Sequence, residues 1–81
     1  MGVFFRVAFF VVIGGDKVKV NGLEKDVEIG ITLKQYLLNE GYKIIRIVVE
    51  INGTIIPKSD YENVLLNKND LVEILNFVGG G

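Results

Sequence analysis

The chain ends in Val78-Gly79-Gly80-Gly81, directly after an apolar stretch, Leu71 to Phe77. Three glycines in a row carry no side chains and favour no single backbone region. They form a thin tether able to thread a narrow channel where any Cβ would block close approach. At its end stands the carboxyl group of Gly81. A terminal carboxyl ionises with a pKa of about 3.3–3.7, so at neutral pH it is an anion and a nucleophile. Presented to another protein's active site, it can attack the α-phosphate of ATP. The product is an acyl-adenylate, whose carbonyl is activated toward a second nucleophile. Chemistry is therefore expected at Gly81, with Gly79 and Gly80 supplying the reach. On the glycines alone, a frayed terminus of no consequence explains the tail equally well.

The rest of the chain offers little to compete with that carboxylate. It has no histidine and no cysteine. Without histidine the usual general base and the commonest metal ligand are absent. Without cysteine there is no disulfide framework, no zinc-thiolate site and no thiol nucleophile. Ser59 has no histidine to activate it, which excludes triad chemistry. The carboxylates of Glu50, Asp60, Glu62, Asp70 and Glu73 form no recognisable acid/base pair in sequence, and each reads as a solvated surface charge. Gly14-Gly15 lacks the following helix and the Lys-Ser/Thr of a phosphate loop. The chain is read as a non-enzyme, with no catalytic residue, no metal ligand and no cofactor of its own.

A sequence of 81 residues makes one domain, near the lower limit for an unaided core, and its 49% hydrophobic content suits that limit. Nine basic and ten acidic residues give a formal charge of −1. Nothing there points to nucleic acid. The apolar run Val3 to Ile13 is broken by Arg6 and is about eleven residues long, against the roughly 20 that a membrane helix needs. It also lacks the leading charge and small-residue cleavage site of a secretory signal. The expected setting is cytoplasmic, with no membrane partner.

The elements that must carry the tail can be placed in order. Val3 to Val12, rich in Val and Phe, reads as strand. Gly14-Gly15-Asp16 is a break, and Lys17-Val18-Lys19-Val20 alternates as a strand with one buried face. Asn21-Gly22 signals a hairpin into a second strand around Lys25 to Ile29. After Gly30 the period changes. Thr32 and Gln35 are spaced as a capping box, Leu33, Tyr36 and Leu37 recur at helical spacing, and Gly41 suits a left-handed cap. Ile47 to Ile51 is the third strand, Asn52-Gly53 turns into Thr54-Ile55-Ile56, and Pro57 ends that strand. Lys58 to Asn63 suits a loop or short 3₁₀ turn. Asn67-Lys68-Asn69-Asp70 is another turn, before a last strand Leu71 to Phe77. One amphipathic helix on a mixed sheet of about five strands is a two-layer α+β domain. The expected core is Val18, Val20, Val27, Ile29, Leu33, Leu37, Ile47, Val49, Ile51, Val72 and Ile74. Three regions result: an apolar extension over 1–16, the domain over 17–78 and the glycine tail over 79–81.

Four pieces of this sequence carry a family resemblance: V-N-G at Val20 to Gly22, T-L-x-x-x-L at Thr32 to Leu37, V-V-E-I-N-G-T-I-I-P at Val48 to Pro57, and V-E-I-L-N-F-V-G-G-G at Val72 to Gly81. From Val18 to Gly81 the chain resembles the ThiS family, the sulfur carriers of thiamine biosynthesis, which have the ubiquitin-like β-grasp fold. The resemblance implies that a ubiquitin-activating-like adenylyltransferase, using ATP and Mg, adenylates the Gly81 carboxylate. A sulfur donor derived from a cysteine desulfurase then converts it to a thiocarboxylate, which delivers sulfur to thiazole synthase. Carriers of molybdopterin synthesis share the fold and a terminal Gly-Gly, but the F-V-G-G-G ending argues against that pathway. A protein modifier conjugated to lysines through Gly81 shares the activation step. Asn69 departs from the family, which has Gly at that turn; Asn tolerates the left-handed region, so the turn is expected to survive.

Strand alternation places Val72 and Ile74 on one face and Glu73, Leu75 and Phe77 on the other. Leu75, Phe77 and Val78 are therefore expected to form an apolar partner surface beside the tail, the alternative being that Leu75 and Phe77 pack under the loop at Lys58 to Asn63. The extension has no counterpart in the family. Its apolar residues 3–12 must reach a sheet edge, continue the first strand beyond the sheet or pair with another molecule, and added β-structure between protomers is the expectation favoured.

Overall fold

The structure, a computed structural model, describes residues 15–77. Residues 1–14, with the expected strand and self-association of the extension, and residues 78–81, with the glycine tail, lie outside these residues.

Two Asn-Gly dipeptides close the two hairpins. β1 (Gly15–Val20) pairs antiparallel with β2 (Leu23–Glu28) from Gly15↔Glu28 to Val20↔Leu23. β3 (Ile47–Ile51) pairs antiparallel with β4 (Thr54–Ile56), with Ile51 opposite Thr54. The intervening Asn21 and Gly22 have φ of 52° and 84°, and Asn52 and Gly53 have 53° and 86°. Positive φ at both central residues is the turn that matches the right-handed twist of a hairpin. β5 (Leu71–Asn76) then joins the hairpins, parallel to β1 and antiparallel to β3. The five-stranded order is β2-β1-β5-β3-β4. With the helix on one face, this is the ubiquitin-like β-grasp fold.

The helix α1 (Leu33–Asn39) is short, and its ends are satisfied by specific partners. Its first two free N–H groups, on Leu33 and Lys34, donate to the carbonyls of Val64 and Tyr61 at 2.7 and 2.9 Å. The third, on Gln35, donates to Thr32 Oγ1 at 3.0 Å. The reciprocal arm of a capping box is not made, because the Gln35 amide donates to Asn39 Oδ1 instead. At the other end Gly41, with φ of 84°, donates to the Leu38 carbonyl, and Tyr42 donates to that of Leu37. Those two bonds are the Schellman arrangement, and the partly buried Tyr42 packs on the core beside it.

One core lies between α1 and the inward sheet face. Every expected core residue is buried except Ile29, which is 63% exposed. β2 ends one residue earlier than expected, and Gly30, with φ of 81°, turns the chain there. The next residue, Ile31, enters the core in place of Ile29. β1 begins earlier than expected and takes in Gly15 and Asp16, which pair with Glu28 and Val27. Short 3₁₀ segments form at Ile44–Arg46, which the sequence did not signal, and at Lys58–Asp60, which it did. Tyr36, Tyr61 and Leu66 complete the core. Burial first, then the charges of Glu40 and the Tyr42 phenol, pushes the Tyr36 hydroxyl up to about 12. Burial also raises Tyr61, partly offset by the Val49 backbone, and its hydroxyl makes no hydrogen bond of good geometry among the described residues.

Candidate functional site

The strand that leads into the tail is the middle strand of the sheet. β5 alternates as its sequence requires, with Val72 and Ile74 buried under α1. Leu71, Leu75 and Phe77 are 54%, 59% and 59% exposed, so they lie on the open face and do not pack beneath the loop at Lys58 to Asn63. Asn76, opposite Ile47 in the ladder, is also exposed. β5 is held from Val72 to Asn76 by β3, and beyond that ladder the Phe77 N–H donates to the Arg46 carbonyl at 2.8 Å.

Two asparagine side chains complete the grip on β5. The β1 ladder reaches only to Val20↔Val72, with the Asn21 N–H donating to the Val72 carbonyl at 2.8 Å. Beyond it the Asn21 carboxamide acts as a further rung. Its Oδ1 accepts from the Ile74 N–H at 2.7 Å and its Nδ2 donates to the Ile74 carbonyl at 3.3 Å. From the other hairpin, Asn52 Oδ1 accepts from the Leu71 N–H at 2.9 Å. Its Nδ2 donates to Asp70 Oδ1 at 2.9 Å, while Asp70 Oδ2 accepts from the Asn67 N–H at 2.8 Å. Asp70, expected as a solvated charge, is 8% exposed and organises the turn before β5. Asn69 sits in that turn at φ of 70°, so it takes the left-handed conformation that asparagine tolerates, and the turn is formed as expected.

Both amide groups are used as donor and acceptor at once, which a carboxylate cannot do. Asn52→Asp is expected to destabilise the fold by about 1–3 kcal/mol, because it leaves Asp70 facing a second carboxylate. Asn21→Asp loses only the longer of its two bonds and is expected to cost less, about 0.5–1.5 kcal/mol. Urea unfolding midpoints of the two variants check the ranking.

The remaining sequence-predicted residues fall as follows. Glu62 accepts from Lys34 Nζ at 2.7 Å on the helix side, and that bond and charge hold its carboxyl below the usual range. Both side chains are well exposed, so the pair adds little stability. Ser59 and Asp60 are exposed in their 3₁₀ segment. Glu50 and Glu73 face each other across the β3–β5 ladder. Among the described residues no three acidic side chains gather as a metal site, and no helix is long and apolar enough to cross a membrane. Gly79, Gly80 and Gly81, with Val78 of the expected partner surface, lie beyond the last described residue, Phe77. The open face at the tail's base is what the structure adds to them. Val48, directly opposite Leu75, extends that apolar surface, and Ile55, opposite Glu50 and 62% exposed, borders it. Strand alternation marks both residues, but only the register reveals that Val48 stands beside β5 and Ile55 one strand further out.

The model of the ThiS family matches residues 18–81. A thiazole synthase from Magnetococcus marinus is 32% identical over 65 residues, covering 80% of this chain and 20% of that protein. A second, from Paramagnetospirillum magneticum, is 37% identical over 65 residues with the same coverage. The chain thus spans about a fifth of the length of these two relatives. The crystal structure of the thiamine biosynthesis protein ThiS from Geobacter metallireducens superposes with a TM-score of 0.68 at 25% identity, covering 80% of this chain and 99% of that one. With a central, doubly clamped β5 running toward a glycine tail, and the family model matching through Gly81, the chain belongs to the ThiS family.

Proposed function

We propose that this protein is a sulfur carrier of thiamine (thiazole) biosynthesis that works through the carboxylate of Gly81. The observation that carries the reading is the family match running through the last glycine, joined to a strand whose exposed apolar side chains surround the base of the tail. In this reading a ubiquitin-activating-like adenylyltransferase docks on Leu75, Phe77 and Val78 and receives Gly79 to Gly81 in its active site. The Gly81 carboxylate attacks the α-phosphate of ATP bound there with Mg, and pyrophosphate leaves. The terminal sulfur of a persulfide derived from a cysteine desulfurase then attacks the activated carbonyl and displaces AMP, and a second thiol cleaves the resulting acyl disulfide, leaving the thiocarboxylate and a disulfide. The acceptor is thiazole synthase, and the two matched relatives bearing that name contain a stretch similar to this chain. The carrier itself supplies no acid, base or metal; it supplies a rigid base, a docking face and a thin tether.

Intact mass spectrometry tests this directly. Incubation with the activating enzyme, ATP and a sulfur donor is expected to give a mass gain equal to exchange of one oxygen for one sulfur. Added thiazole synthase and its other substrates are expected to reverse it. Covalent adducts of much higher mass would instead identify a modifier. Reversal by molybdopterin synthase components, and not by thiazole synthase, would assign the carrier to the other pathway.

A further inference from the structure

The open face of the sheet is charge-matched on one side and mismatched on the other. Lys17 Nζ and Asp26 Oδ1 lie 2.6 Å apart across the β1–β2 ladder, and Lys19 faces Glu24 in the same register. Glu50 and Glu73, also directly opposite one another, carry the same sign. Among the described residues, neither has a cation within salt-bridge distance. Like charges directly opposite in a sheet oppose pairing, so the free fold is better without them. The pair is also placed where charge is least welcome. Leu71 precedes and Leu75 follows Glu73 on its face, while Val48 and Ile55 flank Glu50.

We infer that the protein docking on this face inserts a cationic side chain, an arginine by its fit, between Glu50 and Glu73. This rests on the reading that Leu75 and its neighbours form the docking surface for the activating enzyme. A guanidinium offers planar, forked donors that can serve two carboxylates at once, and its faces tolerate apolar neighbours better than an ammonium does. In the free carrier the two glutamates are hydrated and repel. In the complex the surrounding leucines exclude water, and the same charges become strong, orienting partners for one cation. The pair thus exchanges a small cost in the free fold for register at the interface, fixing how the tail enters the active site.

Glu50→Gln, Glu73→Gln and the double variant separate these effects, because the two expected changes have opposite signs. The unfolding midpoint of each free variant is expected to hold or rise. Half-saturation of ATP–pyrophosphate exchange by purified adenylyltransferase is expected to need about tenfold more carrier, with a shallower salt dependence. Leu75→Ala is the separate arm that reports on the docking surface itself. If Leu75→Ala leaves half-saturation unchanged, the face is not the interface and both readings fall. If Leu75→Ala weakens association while the glutamine variants bind as the parent does, the cation is absent and this inference alone falls. Arg6, outside the described residues, is the rival cation within the chain. A glutamine effect on association that vanishes in an Arg6→Gln background would assign the pair to the chain's own extension and overturn the inference.

Discussion

Deletion of Gly80 and Gly81 is expected to abolish activation and to leave the fold unchanged. The shortened chain still ends in a carboxylate, that of Gly79, so the chemical group is not lost. What changes is its position. Two extended residues span about 7 Å, and a reacting group displaced by even about 1 Å loses roughly a hundredfold in rate. ATP–pyrophosphate exchange with the activating enzyme is expected to fall to background. The folded domain has no reason to respond, since the buried core runs from Val18 to Ile74 and the β5 ladder closes at Phe77. The thermal transition is expected to stay within the change typical of surface substitutions, about 0.5 kcal/mol. A truncated protein with a lost or strongly lowered transition would place the tail in the structure and remove the division between base and tether. Retained exchange would remove Gly81 from the chemistry.

The second large effect is on stability. Leu37 is fully buried between α1 and the sheet, at 0% exposure, and it also supplies the carbonyl that closes the Schellman cap. Leu37→Ala is expected to cost about 2–5 kcal/mol through lost burial and an unfilled cavity. Small domains have about 5–15 kcal/mol in total, and this one has a single compact core, so the variant should be near its limit at physiological temperature. The adjacent Leu38 is 51% exposed, and Leu38→Ala is expected to change stability by only about 0.5 kcal/mol. Urea midpoints for the pair measure the difference. Equal midpoints would mean that the helix does not present Leu37 to the sheet.

Periodicity made most of this architecture readable. Alternation at Val18 and Val20, at Ile47, Val49 and Ile51, and at Val72 and Ile74 marked inward faces, and the two Asn-Gly turns set the hairpins. The same alternation misled at Ile29, because Gly30 redirects the chain and Ile31 becomes the buried residue. Tyr61 and Leu66 enter the core from irregular segments that carry no period to read. The grip on β5 was illegible for another reason. Asn21 reaches Ile74 across 53 positions and Asn52 reaches Asp70 across 18, so no local pattern announces either bond. Asn-Gly spoke for the turns, while the carboxamides' second task depends on tertiary approach. Glu50 and Glu73 were likewise visible as charges, but not as a facing pair.

The central place of β5 also orders the folding process. The hairpins β1–β2 and β3–β4 close over two-residue turns, whereas β1 meets β5 only by bringing together residues more than fifty positions apart. Local closure is fast and distant closure slow, so the hairpins are able to form well before the strand that unites them. Until β5 docks, Val18 and Val20 on one side and Val49 and Ile51 on the other have no common core. Leu75 stands beside Val48, and Glu73 beside Glu50, only once that docking is complete. The surface offered to a partner is therefore a signature of finished folding. An unfinished chain carries the same glycines but not the platform beside them, so under the proposed function the activating enzyme is expected to discriminate against it.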